Sequence, residues 1–373
     1  MKIMLKRFEV ENFRGFSGKW VLNLESAQYS FNQSVVYNGL VKNALVYGIN
    51  GAGKTTLGVA LFDVVSHLTD NHAISSAMVT PFCNLRSGEQ KSVFKFVFKR
   101  GEGELVYSYA KGAARNLLYE KLQVDGRVIV DWDYTSSESD KHYVLSESIG
   151  GLRVDLADDK LSVVKFIARN TPTGVALGVS DVIDFVSRML WFRNLDTRNY
   201  AGLQPGEADI VKTIYDHNAL SKLEQFLKDN EIKYNLAFRE NNGQMYIAAM
   251  FDSGKEVDAM QIASSGTKSL ILYFAWSVTA FDRASLVFID EFDAFLHLGA
   301  AINIVSNLNS HVNFQSIVTS HNVALLSNAI TRPDCCFVIG KKKIASFSEN
   351  SDRVIREAHN LEKMYVNGLF AES

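Results

Sequence analysis

A short glycine-rich segment limits what this chain can fold into more than any other feature of its sequence. The segment, Gly48-Ile-Asn-Gly-Ala-Gly-Lys-Thr55, fits the pattern Gly-x-x-x-x-Gly-Lys-Ser/Thr of a phosphate-binding loop. It follows the apolar run Ala44–Tyr47, which predicts a buried strand, and it precedes an apolar helical pattern over Thr55–Leu68. Because a strand, this loop and a helix in that order are the context that the motif requires, the sequence predicts an α/β fold of the P-loop class.

The residue types of this loop each have a chemical reason. Glycines let the backbone wrap around phosphate oxygens, and the N–H groups at the start of a helix attract anions. Lys54 is expected to reach the β- and γ-phosphates, and the Thr55 hydroxyl is expected to bind Mg²⁺. A glycine-rich turn without a ligand is the alternative, and the sequence context disfavours it. The predicted nucleotide-binding residues of the loop are Asn50, Gly51, Ala52, Gly53, Lys54, Thr55 and Thr56.

A second signal is Leu286-Val-Phe-Ile-Asp-Glu291, four apolar residues followed by two carboxylates. It predicts a buried strand that presents Asp290 and Glu291 at the sheet edge where α/β folds bind ligands. Asp290 is expected to hold Mg²⁺ through water, and Glu291 to position or polarise the attacking water. Alone, the segment could equally be a strand that ends in a solvated acidic turn. Together with the phosphate loop it favours a catalytic site.

Two further segments are less specific. Ser264, Ser265 and Gly266 precede a long apolar helical pattern, and they form either a second anion-binding helix start or a plain N-cap. From the residues alone, the N-cap is the better interpretation.

The segment Ile317–His321 predicts a strand that ends in a histidine at the same sheet edge. A lone histidine is more often structural, but here His321 would lie close to the γ-phosphate and could sense it.

The rest of the chain alternates between strand and helix patterns. Phe8–Arg14 and several β-rich runs between Val93 and Val130 predict antiparallel strands, and residues 234–251 predict a hairpin. After residue 285 strands alternate with helices, including one helix over Val323–Asn328. We therefore predict an N-terminal ATPase lobe over residues 1–149, a mainly helical insertion over 150–232 and a C-terminal ATPase lobe over 233–373.

Composition excludes several classes of protein. A formal net charge of −2 argues against a protein that coats nucleic acid by bulk electrostatics. The longest uncharged apolar run, Ser269–Phe281, is too short to cross a membrane, and the charged N-terminus lacks the apolar core of a signal peptide. Cys83, Cys335 and Cys336 show neither disulfide-framework nor zinc-site spacing. We expect a cytoplasmic protein with no membrane partner.

With these motifs in this order, the chain resembles the ABC-type ATPase heads of the SMC, RecF and OLD-like group. It is most similar to the standalone AAA/ABC-type ATPases of bacterial anti-phage defence, which are Septu-, PARIS- or retron-associated. The segments Phe8-Glu-Val-Glu-Asn-Phe-Arg-Gly-Phe16 and Asn360–Phe370 carry the likeness at the two ends. The resemblance to this family covers residues 131–235 only loosely.

The resemblance implies a fold with a mixed sheet, an antiparallel β subdomain and a helical insertion. It implies that Gly48–Thr56 are the Walker A loop, that Asp290 and Glu291 are the Walker B pair, and that His321 is the switch histidine. Ser264–Thr267 would be the signature segment, which contacts ATP held by the opposite protomer. The implied catalytic residues are Glu291, His321 and Lys54, and the implied metal-binding residues are Thr55 and Asp290.

The chain also departs from the family pattern. Leu296-His297 stands where transporters have Leu-Asp, and the signature reads Ser-Ser-Gly-Thr-Lys in place of Ser-Gly-Gly-Gln. Gln90 is the candidate for the glutamine that contacts the metal in this family. The segment after His321 is too short for the Toprim nuclease domain of OLD nucleases, so an effector is expected to be a separate chain.

The implied activity is slow, Mg²⁺-dependent hydrolysis of ATP by a dimer or higher oligomer. The protein would act as a switch or scaffold that controls a separately encoded nuclease or toxin, with DNA or a phage protein as the trigger. The alternatives are a RecF-like DNA clamp in repair and an ATP-gated binding module that barely hydrolyses.

Partner specificity is expected in the predicted insertion, because the ATPase lobes are generic. Trp191 and Phe192 could belong to the core or to an interface. The basic residues of this region could bind nucleic acid, although a solvated helix face is the better interpretation; they are Arg188, Arg193, Arg198, Lys222, Lys228 and Lys233.

Overall fold

The computed structural model describes residues 3–70, 80–113, 116–135, 143–145, 161–172, 178–194, 199–202, 210–340 and 343–370. In chain order the strands are β1 (Met4–Phe13), β2 (Phe16–Asn23), β3 (Val36–Tyr37), β4 (Leu40–Val41), β5 (Asn43–Tyr47), β6 (Ser92–Arg100), β7 (Gly103–Ala113), β8 (Asn116–Val124), β9 (Arg127–Asp133), β10 (Tyr143–Leu145), β11 (Met189–Asn194), β12 (Asn199–Gly202), β13 (Asn235–Asn241), β14 (Gln244–Met250), β15 (Glu256–Asp258), β16 (Leu286–Ile289), β17 (Gln315–Thr319), β18 (Cys336–Ile339) and β19 (Ile344–Ser346). The helices are α1 (Lys54–Phe62), α2 (Val65–Leu68), α3 (Val163–Asn170), α4 (Val179–Ser187), α5 (Ile210–Asp216), α6 (Leu220–Asp229), α7 (Ala259–Ile262), α8 (Ser265–Ser277), α9 (Leu298–Ser310) and α10 (Leu361–Val366).

One seven-stranded sheet is antiparallel, with the strand order β10-β9-β8-β7-β6-β1-β2. Its strands alternate between inward apolar and outward polar residues, as a sheet with one covered face requires. In β6, for example, Phe94, Phe96 and Phe98 are fully buried, whereas Lys95 and Lys99 are partly exposed. This sheet forms the antiparallel subdomain that the sequence predicts.

The second seven-stranded sheet has the order β12-β11-β16-β17-β5-β18-β19. Its five inner strands are parallel, and each edge strand is antiparallel to its neighbour. Alternate residues face two separate hydrophobic cores: Phe288 joins the core beneath the antiparallel sheet, whereas Val287 and Ile289 join the core beneath α8 and α9. Because both faces are covered, most side chains of its inner strands are apolar, which is typical of parallel sheets. Strand β17 is an exception, since Gln315, Ser316 and Thr319 are buried polar residues. The mixed α/β fold predicted from the sequence is therefore confirmed.

The remaining strands form small antiparallel units. β13, β14 and β15 make a three-stranded sheet, and β3 pairs with β4. The β13–β14 hairpin turns at Asn242-Gly243, both with positive φ, as the sequence predicts. No helix in the described part of the chain is long and apolar enough to cross a membrane.

The region predicted as a mainly helical insertion, residues 150–232, also contains strands. The helical pattern ends with α4 at Ser187, and Met189–Asn194 form β11, which pairs in parallel with β16. The helical expectation is wrong here because four consecutive apolar residues suit a strand buried on both faces as well as a helix. Trp191 and Phe192 are accordingly core residues. The division into three segments stays a prediction.

The helix predicted over Val323–Asn328 forms only a 3-10 turn, Val323–Leu325, because the chain leaves helical geometry at Leu326.

Among the basic residues of the insertion, Lys222, Lys228 and Lys233 are exposed, and Arg188 pairs with Asp184. The Arg193 side chain and Arg198 lie outside the described residues.

Candidate nucleotide-binding site

The phosphate loop joins β5, in the middle of the parallel sheet, to α1. Gly53 has a φ of +115°, and a Cβ built on it would lie 2.6 Å from Cε1 of Phe16, so no other residue fits here without a shift. Lys54 is 5% exposed, and its Nζ donates a hydrogen bond to the Gly48 carbonyl at 3.0 Å. The ammonium group therefore lies over the loop whose N–H groups would surround a phosphate.

Thr55 and Asp290 connect this loop to the end of β16. The Thr55 hydroxyl donates a hydrogen bond to Oδ2 of Asp290 at 2.6 Å. Burial raises the pKa of Asp290, and hydrogen bonds from Thr55 and Thr319 oppose that shift. A hydroxyl and a carboxylate are the hard oxygen donors that Mg²⁺ prefers, so the pair fits the metal. No group of three or more His, Cys, Asp or Glu side chains in the described ranges could hold a metal by itself, so the remaining ligands would be phosphate oxygens and water.

Glu291 and His321 lie together at the same edge of the sheet. His321 Nε2 is 3.6 Å from Oε1 of Glu291, and the two side chains are 42% and 53% exposed. Glu291 has a φ of +45°, a left-handed conformation that is uncommon for a residue with a Cβ. Burial lowers the pKa of the Lys54 ammonium group, while Glu291, Asp290 and Asp293 oppose that shift, so the three carboxylates and Lys54 share one electrostatic environment.

The predicted signature segment lies beside this cluster rather than in it. Ser264 caps α8, where its hydroxyl accepts a hydrogen bond from the Thr267 N–H at 3.2 Å. A Cβ on Gly266 would lie 2.4 Å from the carbonyl oxygen of Phe295, so the segment packs tightly against the loop that follows Glu291. Ser264 and Ser265 are exposed, and their hydrogen bonds in the described part of the chain stay within α8.

The structure thus brings together Lys54, Thr55, Asp290, Glu291 and His321, and their chemical roles stay predictions. Gln90 is exposed and precedes β6 of the antiparallel sheet, so it does not follow a strand of the parallel sheet. Strand β16 lies between β11 and β17, and residues 195–198, which follow β11, lie outside the described residues.

Sequence reasoning missed the polar residues that support the cluster. Thr319 contacts Asp290 and Glu291, and the Ser320 hydroxyl donates a hydrogen bond to Oδ2 of Asp293 at 2.7 Å. The sequence signal that could have found them is their position, since Thr319 and Ser320 lie between the apolar pair Ile317-Val318 and His321. His297, which stands where transporters have an aspartate, also has a structural role. Its Nδ1 accepts a hydrogen bond from the Ala300 N–H and caps α9.

Comparison with known proteins gives a family and a fold. The sequence profile of the family described as "AAA domain, putative AbiEii toxin, Type IV TA system" matches residues 44–327, which contain the whole cluster. Curated protein sequences give no significant match.

Solved structures similar to this chain include heads of Smc proteins. An Smc head bound to the C-winged helix domain of ScpA has a TM-score of 0.52 at 13% sequence identity, covering 92% of this chain and 97% of that one. An Smc head with an extended coiled coil from Pyrococcus furiosus gives 0.47 at 10% identity, covering 93% and 97% of the two chains. The SMC head domain from Thermotoga maritima gives 0.42 at 11% identity, covering 92% and 97%. The first of these shows a shared ABC-type ATPase fold.

Proposed function

The chain belongs to the AAA domain family whose profile it matches, and on that premise we propose that it is a cytoplasmic ATPase that works as a molecular switch. The observation that carries the proposal is the meeting of Lys54, Thr55, Asp290, Glu291 and His321 at one edge of the parallel sheet. Three separate segments, the start of α1 and the ends of β16 and β17, supply these residues, and together they provide the groups that phosphoryl transfer to water needs.

Each group has a role that follows from its position. Lys54 and the loop N–H groups would bind the phosphates and stabilise the charge that develops on them. Mg²⁺, held by Thr55 and through water by Asp290, would neutralise phosphate charge. Glu291 would orient and polarise the attacking water, and His321, 3.6 Å from it, would contact the γ-phosphate.

We further propose that two copies of the chain complete each ATP site. Ser264 and Ser265 of the signature segment are exposed beside the cluster and are therefore available to ATP held by a second copy. Large apolar side chains are also exposed in the phosphate loop, at the end of α7 and in the loop after Glu291: Ile49 at 76%, Ile262 at 42% and Phe295 at 47%. Exposed apolar side chains on active-site loops favour a protein partner, and a two-fold dimer would cover both copies at once. ATP would then favour the closed dimer because it makes its full contacts only there.

The family description names a putative toxin of a type IV toxin–antitoxin system, which supports a role in controlling cell viability. We propose that the ATP-dependent dimer controls a separately encoded nuclease or toxin in anti-phage defence, and that DNA or a phage protein triggers it. Partner specificity is proposed to lie in the predicted insertion, residues 150–232.

The first experiment measures ATP binding and hydrolysis by the wild type, Lys54→Ala and Lys255→Ala. Lys255 is an exposed lysine in the turn before β15 and serves as the matched control. The Lys54 variant should lose at least about a hundredfold in hydrolysis, because the phosphates lose their charged contact. The control should behave as the wild type. Equal hydrolysis by all three proteins would contradict the assignment.

The second experiment measures mass in solution with ATP or ADP and Mg²⁺. Glu291→Gln should form a dimer in ATP and a monomer in ADP, because hydrolysis no longer reopens the closed state. Phe295→Asp should stay monomeric while still binding ATP. Val312→Asp is the control, because it changes an apolar side chain that is 67% exposed near the other edge of the sheet, and it should leave dimerisation unchanged. A monomer in ATP for Glu291→Gln would exclude the composite site.

The third experiment purifies the protein from its native operon in ATP and identifies every chain that accompanies it. A stoichiometric nuclease or toxin would support the defence role. A dimer that carries only DNA, and whose affinity for duplex DNA falls steeply with salt, would favour the alternative of a RecF-like DNA clamp in repair.

A further inference from the structure

Thr319 joins the two acidic residues of the candidate site through one hydroxyl group. It is the last residue of β17 and is fully buried. Its Oγ1 accepts a hydrogen bond from the Glu291 N–H at 2.7 Å and donates one to Oδ1 of Asp290, also at 2.7 Å. The Phe292 N–H donates a further bond to the Thr319 carbonyl at 3.3 Å. One residue of β17 therefore holds three consecutive residues that follow β16.

These bonds leave little freedom at the turn after β16. Thr319 holds Oδ1 of Asp290 while Thr55 holds Oδ2, so both oxygens of the carboxylate are fixed. The hydroxyl has one proton, which it gives to Asp290, and it therefore meets Glu291 as an acceptor. Glu291 needs that acceptor, because its left-handed backbone persists only where the surrounding structure holds it.

Packing alone does not require a hydroxyl at this position. Ile317 and Val318, the two preceding residues, are buried apolar side chains, and valine has nearly the shape of threonine. A valine at position 319 would fill the same space but leave the Glu291 N–H and Oδ1 of Asp290 without their partner. The feature that distinguishes threonine here is therefore its hydrogen bonding to the two acidic residues.

We propose that Thr319 is a positioning residue for ATP hydrolysis, which holds the Glu291 backbone in the conformation that directs its carboxylate at the attacking water. This proposal rests on the proposed function. Thr319 acts through Glu291 and Asp290, and its hydrogen bonds in the described structure do not reach the phosphate loop. Its removal should therefore impair the chemical step more than ATP binding.

The test compares Thr319→Val, Thr319→Ser and Ser316→Ala. Ser316 is the matched control, because its buried hydroxyl lies in the same strand and donates to Asn43 at 2.7 Å, away from the acidic residues. Thr319→Val should lower kcat by about ten- to a hundredfold and change KM and ATP affinity by less than about threefold. Thr319→Ser keeps the hydroxyl and should stay within about threefold of the wild-type kcat, as should Ser316→Ala.

A double-mutant cycle with Glu291→Gln shows whether Thr319 acts through Glu291. In single-turnover measurements, adding Thr319→Val to Glu291→Gln should change the remaining rate by less than about twofold, because the positioned carboxylate is already gone. The proposal is overturned if Thr319→Val keeps the wild-type kcat. It is also overturned if Thr319→Ser is as impaired as Thr319→Val, or if the effect of Thr319→Val is undiminished in the Glu291→Gln background.

Crystal structures of the wild type and Thr319→Val separate this proposal from the proposed function. In the variant, the turn at residues 290–292 should shift and Glu291 should leave its left-handed conformation. An unchanged turn overturns the positioning role whether or not the protein hydrolyses ATP. A shifted turn supports that role, and a wild type that binds no ATP would then count against the proposed function alone.

Discussion

Helix α1 has charged residues at both ends, and the two ends are built in opposite ways. At its start, Lys54 and Thr55 meet the cluster around Glu291 and His321, whose side chains are 53% and 42% exposed. At its end, Asp63 forms an ion pair with Lys111 of β7 at 2.8 Å, and these side chains are only 4% and 0% exposed. The side chains of Glu291 and His321 at the first end face solvent, where a ligand can reach them, whereas both charged side chains at the second end are enclosed.

The enclosed charges have protein partners on every side. The Tyr109 hydroxyl also donates to Asp63, at 3.0 Å. Nearby, the buried carboxylate of Glu120 accepts hydrogen bonds from the Tyr107 and Ser162 hydroxyls at 2.6 and 2.7 Å. Such a network joins α1, the antiparallel sheet and the start of α3. The comparison therefore predicts that charge removal affects chemistry at one end of α1 and stability at the other.

The largest effect is expected from Glu291→Gln at the exposed end. Loss of the carboxylate should slow hydrolysis by about a hundred- to ten-thousandfold, because the attacking water loses its base. The free energy of unfolding should change by less than about 0.5 kcal/mol, since the side chain is half exposed. Single-turnover hydrolysis and urea unfolding measure the two quantities. Normal turnover in this variant would remove Glu291 from the mechanism.

The converse effect is expected from Lys111→Met at the enclosed end. Asp63 would remain buried without its ion-pair partner, which should lower the free energy of unfolding by about 3–5 kcal/mol. Lys121→Met is the matched control, because that lysine pairs with Asp131 in the same sheet but both side chains are about 30% exposed. It should cost less than about 1 kcal/mol in urea unfolding. Equal losses in the free energy of unfolding for Lys111→Met and Lys121→Met would contradict the stabilising role of the enclosed ion pair.

A smaller effect is expected where the exposed end depends on close packing. Gly266→Ala would place a Cβ 2.4 Å from the Phe295 carbonyl oxygen, so the signature segment must move away from the loop after Glu291. We expect a loss of about 1–3 kcal/mol in stability and weaker ATP-dependent dimerisation, measured by unfolding and by mass in solution. Gly15→Ala, where the added Cβ meets nothing within 4 Å, should change neither. Unaltered dimerisation of Gly266→Ala would count against the proposed contact.

The exposed end was predictable from sequence because its chemistry is local. The phosphate loop lies within Gly48–Thr55, and the acidic pair directly follows an apolar strand, so short patterns found both. The enclosed network was not predictable, because Asp63, Lys111 and Glu120 are far apart in sequence and nothing in an isolated charge indicates its partner. Strand β11 was missed for a related reason: it is buried on both faces and has no alternating pattern.

The smallest effect is a dependence of stability on pH at the enclosed end. Burial, and to a lesser extent Lys111, lowers the pKa of His67 well below its usual value, and its Nε2 lies 2.8 Å from the Tyr107 hydroxyl. Below about pH 6.5 the unfolded chain binds a proton at this residue that the folded chain does not. The contribution of His67 to the free energy of unfolding should therefore be fully present above that pH and decrease as the pH falls below it.

Between about pH 7 and pH 5.5, this single group should remove about 1 kcal/mol from the free energy of unfolding. His67→Gln cannot take up the proton, so its urea-unfolding free energy should fall by that much less over the same range. If His67→Gln and the wild type lose stability equally, the enclosed end does not exclude protons as its burial implies, and the contrast between the two ends of α1 would rest on the Asp63–Lys111 pair alone.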